Sequence, residues 1–174
     1  IYSVADTSIY VHLFIGGEAS VSLNEQQVRI IQTSGYPWSG DVSIAVALAQ
    51  PTSFNLLVRV PGWCRKFTVR INGARVVAPQ RHGYLAFRRR WKNGDRIDLS
   101  LDMPIERVSA HRRVRDAVGK IALQRGPIVF CVEECDHGRD VRQIRLADRT
   151  KLTARFDRRL LGGAMTITAG QKRS

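Results

Sequence analysis

The stretch VRVPGWCRKFTVRING, residues 58–73, sets the reading of the whole chain. Val58 and Val60 flank Arg59, Pro61-Gly62 interrupts, and Phe67, Val69 and Ile71 then alternate with Thr68 and Arg70. Alternation with period two is the mark of a strand with one buried face. Asn72-Gly73 is a strong hairpin signal, because a type I′ turn needs positive φ at both central residues. The stretch is therefore a strand, a corner at Pro61-Gly62, a second strand and a hairpin turn. Trp63 and Cys64 raise a different possibility, a sugar platform or a reactive thiol. As parts of a corner they plug the end of the core, and Arg59 and Arg70 point outward.

The same pattern extends in both directions. Residues 9–15 (IYVHLFI) form a β-rich segment ending at Gly16-Gly17, and VSL and VRIIQ follow as short strands around Asn24. After the loop TSGYPWSGD, Val42, Ile44, Val46 and Leu48 share one face, as do Phe54, Leu56, Val58 and Val60. ARVV returns from the Asn72-Gly73 turn, and GYLAF and RIDLSLDM continue the series, the latter after Asn93-Gly94-Asp95. Trp91 anchors the strand before that turn. Strands recurring between Gly, Pro and Asn turns predict an all-β fold, an antiparallel sandwich of jelly-roll or Greek-key type. This first domain covers residues 1–106. SAHRRVRDAVG reads as a connection, and KIALQRGPIVFCVE as a β-pair broken at Gly126-Pro127. Residues 107–174 alternate weakly, end in a strand at AMTIT, and predict a smaller, incomplete β-domain.

Composition narrows the function classes. The chain has 174 residues, 44% of them hydrophobic, an ordinary share for a folded domain. No apolar run reaches the ~18–20 residues of a membrane span. The first residues are already strand-like, so the chain reads as a piece of a longer protein. The net charge of +13 is unevenly placed. Residues 1–60 hold Arg29 and Arg59 against Asp6, Glu18, Glu25 and Asp41, so the excess falls later. Lys66, Lys92, Lys120, Lys151 and Lys172 are the lysines, and every other basic residue is arginine, a bias that GC-rich coding also produces. Nucleic acid is thus a minor reading.

A search for chemistry gives little. No serine sits in a G-x-S-x-G elbow, and no phosphate-cradling glycine loop appears. Cys64, Cys131 and Cys135 are an odd set and are read as buried structural residues. If IVFCVEEC is a strand, Cys131 and Cys135 stand about 13 Å apart on one face. A disulfide needs roughly 7 Å or less between Cα atoms. Cys131, Cys135 and His137 resemble a metal cluster only loosely. His12 lies in a strand, His82 in a turn and His111 in the connection, all as packed or solvated side chains. Glu133 and Glu134 point to opposite faces of a strand and make a poor pair for glycoside hydrolysis. Glu133 and Asp136 can approach if the strand ends at Cys135. Tyr36 and Trp38, bracketing Pro37, either contact carbohydrate or pack at a core or domain boundary.

The ordered set YPWSGDVSI, VRVPGWC, VRING, GYLAFRRRWKNGDRIDLSLDM and GKIALQRGPIVFCVEECD resembles the post-catalytic region of glycoside hydrolase family 127, the β-L-arabinofuranosidase group. The resemblance implies an upstream (α/α)6 barrel followed by two β-sandwich domains, of which residues 1–106 are the middle one and 107–174 the start of the last. It implies retaining exo-hydrolysis by a zinc-bound cysteine of a Cys-Cys pair, helped by a glutamate, all in the barrel. No catalytic or metal residue carries over to Cys64, Cys131 or Cys135. The motif residues that carry the resemblance include Arg59, Pro61, Trp63, Cys64, Asn72 and Gly73.

The leading expectation is an accessory region, inactive alone and without a cofactor of its own, that covers and supports the barrel of the same polypeptide. The parent would act on arabinose-containing plant glycans and hold zinc in its barrel, and a second copy of the chain is a further contact left open. No membrane contact is expected. A free-standing carbohydrate-binding module using Tyr36 and Trp38 is the alternative, and a basic nucleic-acid binder the third. Unpaired cysteines and thiol chemistry favour a reducing, cytoplasmic setting.

Overall fold

The computed structural model describes residues 1–23, 25–138 and 140–170. The expected turn at Asn24 lies outside the described residues. The chain divides into two compact units, Ile1–Met103 and Pro104–Ser174.

The first unit contains β1 (Tyr2–Ala5), β2 (Ser8–Val11), β3 (Gly17–Leu23), β4 (Gln26–Ser34), β5 (Asp41–Leu48) and β6 (Thr52–Arg59), then β7 (Phe67–Ile71), β8 (Ala74–Val76), β9 (Gln80–Arg81), β10 (Tyr84–Trp91) and β11 (Arg96–Leu101). They form a five-stranded sheet, β1-β2-β6-β10-β9, and a six-stranded sheet, β3-β4-β5-β11-β7-β8. The inner faces meet in one core. Val42, Ile44, Val46 and Leu48 of β5 are buried, and so are Phe54, Leu56 and Val58 of β6, and Ile97, Leu99 and Leu101 of β11. Each of these strands buries every second side chain, the arrangement a two-sheet sandwich requires.

The chain changes sheet where the turn residues fall. Residues 49–51 carry it from β5 to β6, 60–66 from β6 to β7, and 92–95 from β10 to β11. Strand β11 inserts between β5 and β7 instead of extending the edge, which gives the order its Greek-key character. Asn72 and Gly73 have φ of 51° and 82°, as the type I′ hairpin between β7 and β8 demands. Trp91 is fully buried, stacks on Phe54 at 5.7 Å, and donates its indole N–H to the Phe54 carbonyl at 3.1 Å. Arg89 lies 5.2 Å from the centre of the same indole ring.

Two sequence expectations change. The segment 9–15 is not one strand: β2 ends at Val11, and His12 follows it. Buried Gln32 holds the outgoing connection by donating to the Leu13 and Ile15 carbonyls. Strand β2 also pairs with β6 in parallel, Ile9 opposite Leu56 and Val11 opposite Val58. Alternation reports which face is buried and carries no information on strand direction.

The second unit has a three-stranded antiparallel sheet, β12 (Ile105–Ser109), β13 (Ile121–Arg125) and β14 (Ile128–Phe130), and a ribbon of β15 (Leu152–Asp157) with β16 (Ala164–Ala169). Ile105 pairs with Arg125, and Glu106 with Gln124, so these two residues belong to this unit and not to the sandwich before it. A short helix, α1, spans Glu134–His137. The Arg107 guanidinium donates to the Ala147 and Thr150 carbonyls, each at 2.9 Å, tying β12 to the approach to β15. All buried apolar side chains among the described residues lie at or before Met103. Among the described residues no helix is long and apolar enough to cross a membrane.

Gly40 offers a test of the packing. A Cβ there would sit 1.9 Å from the Leu101 carbonyl oxygen, a backbone atom that cannot rotate away. Gly40→Ala is expected to lower the unfolding free energy by about 1–3 kcal/mol, read from urea midpoints at unchanged slope.

Candidate functional site

The corner at residues 60–66 is built by local chemistry. Pro61 is buried, and its carbonyl accepts from the Cys64 N–H at 3.0 Å, closing the turn. Trp63 and Cys64 are half-buried and pack on the core edge. From the opposite loop comes Tyr36, whose ring stacks on Trp63 at 6.3 Å and 24°. Phe14 meets Tyr36 edge-on at 5.8 Å. Three connections, after β2, β4 and β6, thus supply one aromatic each to a plug at one end of the sandwich. Tyr36 N–H donates to Ser34 Oγ at 3.0 Å, and Trp38 and Ser39 N–H both donate to the Gly35 carbonyl, which holds the Tyr-Pro-Trp loop in a tight turn. Trp38 is half-buried in that loop.

Cys64 answers the question of a reactive thiol. Burial pushes its pKa up, and the charge of Asp102 adds to the effect. Its Sγ–H donates to the Lys66 carbonyl at 3.1 Å. A reactive cysteine needs a stabilised thiolate, and this one is held protonated near neutrality.

The turns Asn72-Gly73 and Asn93-Gly94-Asp95 are latched together. Asn72 donates its amide to Asp95 Oδ1 at 2.8 Å and accepts from the Arg96 N–H at 2.8 Å. Asp95 is buried and also accepts from the Lys92 N–H at 2.9 Å, with Arg89 at 3.7 Å. Burial alone would raise the Asp95 carboxyl. The bonds from Asn72 and Lys92, with the charges of Arg89 and Lys92, outweigh it and hold the group below its ordinary range. Asn72, read from sequence only as a turn former, is therefore also the bridge between two turns. The signal was an Asn in one turn and an Asp in another, 23 residues apart, with nothing in either to link them.

His12 joins a small polar cluster that the sequence did not suggest. Its Nε2 lies 2.7 Å from Ser3 Oγ and its Nδ1 2.7 Å from the Tyr84 hydroxyl. Tyr10 stacks on the imidazole at 6.0 Å and meets Tyr84 edge-on at 5.6 Å. The register explains it: Ser3 faces Tyr10 across β1 and β2, and Tyr84 faces Arg59 across β10 and β6.

The cysteines of the second unit correct the reading of IVFCVEEC. Strand β14 ends at Phe130 and α1 begins at Glu134, so Cys131 and Cys135 do not share a strand face. Both are exposed, not buried, because this segment leaves the sheet for the surface. Glu133 and Asp136 do approach, and with Cys135 their donor atoms lie within 4.8 Å of one another. The Cys135 thiol donates to Glu133 at 3.5 Å, which keeps its pKa raised. One protonated thiol and two carboxylates on a single exposed segment do not fit a resident zinc, whose structural sites take four ligands dominated by thiolates and imidazoles.

Residues 8–103 match the family model described as beta-L-arabinofuranosidase, GH127 middle domain. Residues 105–167 match that of the glycoside hydrolase family 127 C-terminal domain. A curated relative, the non-reducing end beta-L-arabinofuranosidase of Bifidobacterium longum subsp. longum, is 32% identical over 167 residues, covering 92% of this chain and 25% of that protein. Among solved structures, a GH127 beta-L-arabinofuranosidase from Geobacillus stearothermophilus T6 superposes with a TM-score of 0.93 at 40% identity, over 97% of this chain and 27% of that one. A second, described as a GH127 beta-arabinofuranosidase, gives 0.91 at 30% identity, over 97% of this chain and 29% of its own. The chain thus spans about a quarter of the curated relative's length.

Two measurements check the geometry. Trp63→Ala removes the ring on which Tyr36 stacks, and a loss of about 2 kcal/mol in unfolding free energy is expected for this half-buried aromatic. A depressed carboxyl stabilises above its unfolded pKa and loses that contribution as pH falls through the folded value. Acidification below about pH 4 is therefore expected to remove part of the stability in the wild type. Asp95→Asn should already be weaker at pH 7, by about 1–3 kcal/mol, and show a flatter acid limb.

Proposed function

Because the chain belongs to glycoside hydrolase family 127, we propose that it is the accessory, non-catalytic β-sandwich region of a β-L-arabinofuranosidase-like enzyme, packing against an (α/α)6 catalytic barrel in the same polypeptide. One observation carries this reading: the matched models are those of the middle and C-terminal domains, and the chain corresponds to only 25% of the curated relative. The chemistry of the side chains agrees with it. The half-buried Cys64 thiol is held protonated, and the grouped donors Glu133, Cys135 and Asp136 lie on an exposed segment.

In this reading the parent enzyme acts on arabinose-containing plant glycans, with zinc and its cysteine ligands in the barrel. The sandwich contributes a stiff, autonomous body that holds barrel elements in place. The three free cysteines suit a reducing, cytoplasmic compartment. A carbohydrate platform at Tyr36 and Trp38 has less support, since the Tyr36 ring is engaged by Trp63 and Phe14.

The test compares this 174-residue chain with the longer polypeptide that includes the upstream region. Hydrolysis of p-nitrophenyl β-L-arabinofuranoside is expected from the longer polypeptide alone. Turnover by the 174-residue chain itself would overturn the proposal.

A further inference from the structure

The two outer faces of the first unit differ in how their charges are met. On the six-stranded sheet, Arg29 pairs with Glu18 at 3.7 Å, and Arg96 with Asp98 at 3.1 Å. Arg70 donates to the Gly73 carbonyl, and Asp41 accepts from Ser39 and Ser100. Arg75 stands exposed opposite Arg70 with no carboxylate partner among the described residues, but this face sets Glu18, Asp41 and Asp98 among its arginines.

The five-stranded sheet is different. Its strands β1, β2, β6, β9 and β10 contain no Asp or Glu. Register sets Arg59 and Arg81 on either side of Tyr84. Alternation along β10 turns Arg88 and Arg90 to that same face. All four arginines are exposed, and among the described residues none is in an ion pair. At strand spacing, Arg59 and Arg81 stand about 10 Å apart, and the track from Tyr84 to Arg90 runs about 20 Å. Leu57 and Ala86 lie half-buried opposite one another in the middle of the face. The Tyr84 ring is fixed by its hydroxyl's bond to His12 and by its contact with Tyr10.

We infer that this face binds an anionic polysaccharide, with the arginines taking uronate carboxylates and the Tyr10–Tyr84 pair lying against sugar rings. A guanidinium matches a carboxylate with two parallel N–H donors, and an exposed row of them on strands that hold no acidic residue is suited to an extended acidic chain. Membership of a glycoside hydrolase family favours a glycan over nucleic acid as that chain. The ligand class assigned here goes beyond the supporting role proposed above, and activity of the longer polypeptide remains a separate readout.

Binding of this chain is measured by affinity electrophoresis and titration calorimetry against polygalacturonate, highly methyl-esterified polygalacturonate, neutral arabinan and single-stranded DNA. Polygalacturonate is expected to bind, with affinity falling as salt screens the charges and falling at least about tenfold on esterification, which removes the carboxylates but keeps the backbone. The double variant Arg88→Gln/Arg90→Gln should lose about tenfold or more, and Arg88→Lys/Arg90→Lys should recover part of it. Arg29→Gln/Arg96→Gln removes the same charge from the opposite face and should leave affinity unchanged. Equal losses from the two Gln pairs, equal binding to the esterified polymer, or tighter binding to DNA would each overturn the inference. So would loss of polygalacturonate binding in the longer polypeptide, since the face would then be covered by protein.

Discussion

The apolar side chains that alternate along β5, β6 and β11 can leave water only by meeting one another, and that requirement orders everything else in the first unit. Once two sheets face each other, each strand has one side committed to the interior and the chain must cross between layers. The crossings occupy Pro61-Gly62 and the Asn93-Gly94-Asp95 turn because these residues tolerate the reversals that β-branched neighbours resist. Trp91 and Phe54 fill the interior with stacked rings, and the indole N–H finds a carbonyl, so this donor is not buried unmet. The aromatic plug of Phe14, Tyr36 and Trp63 and the latch of Asn72 with Asp95 then hold connections that the core alone leaves loose.

Much of this was legible in the residues. The inward positions of β5, β6, β7 and β11 follow from period two, and the hairpin at Asn72-Gly73 follows from the need for positive φ. What stayed hidden depends on contacts distant in sequence. The parallel pairing of β2 with β6 and the insertion of β11 between β5 and β7 leave no trace in local alternation. Tyr36 and Trp63 were each singled out, but nothing in either loop announced that one ring would lie on the other. Asp95 read as a turn residue, and its burial comes from the approach of Asn72. The cysteines failed for a different reason. Cys131 and Cys135 read as buried structural residues, whereas the chain leaves the sheet after Phe130 and brings both thiols to the surface.

The contrast between the two units bears on function. The first has a filled interior, and its buried carboxylate, Asp95, is partnered in the turn latch. The second has a three-stranded sheet and a ribbon whose apolar side chains stay at least partly exposed, Val129 at 63% and Phe156 at 43% among them. A sheet of this size draws its stability from what it packs on. A rigid body joined to one that gains from further contacts is the construction that the proposed supporting role calls for. The family assignment and the protonated, hydrogen-bonded state of Cys64 fit that division of labour.

Native-state hydrogen exchange on the 174-residue chain addresses the physical core of this account most directly. Amides of Asp41–Leu48, Thr52–Arg59 and Arg96–Leu101 should exchange slowest and together, through one global opening, while those of Ile121–Arg125 and Leu152–Asp157 exchange through smaller openings. Protection in Ile121–Arg125 equal to that of the sandwich strands would contradict the claim that the first unit alone carries the stable core.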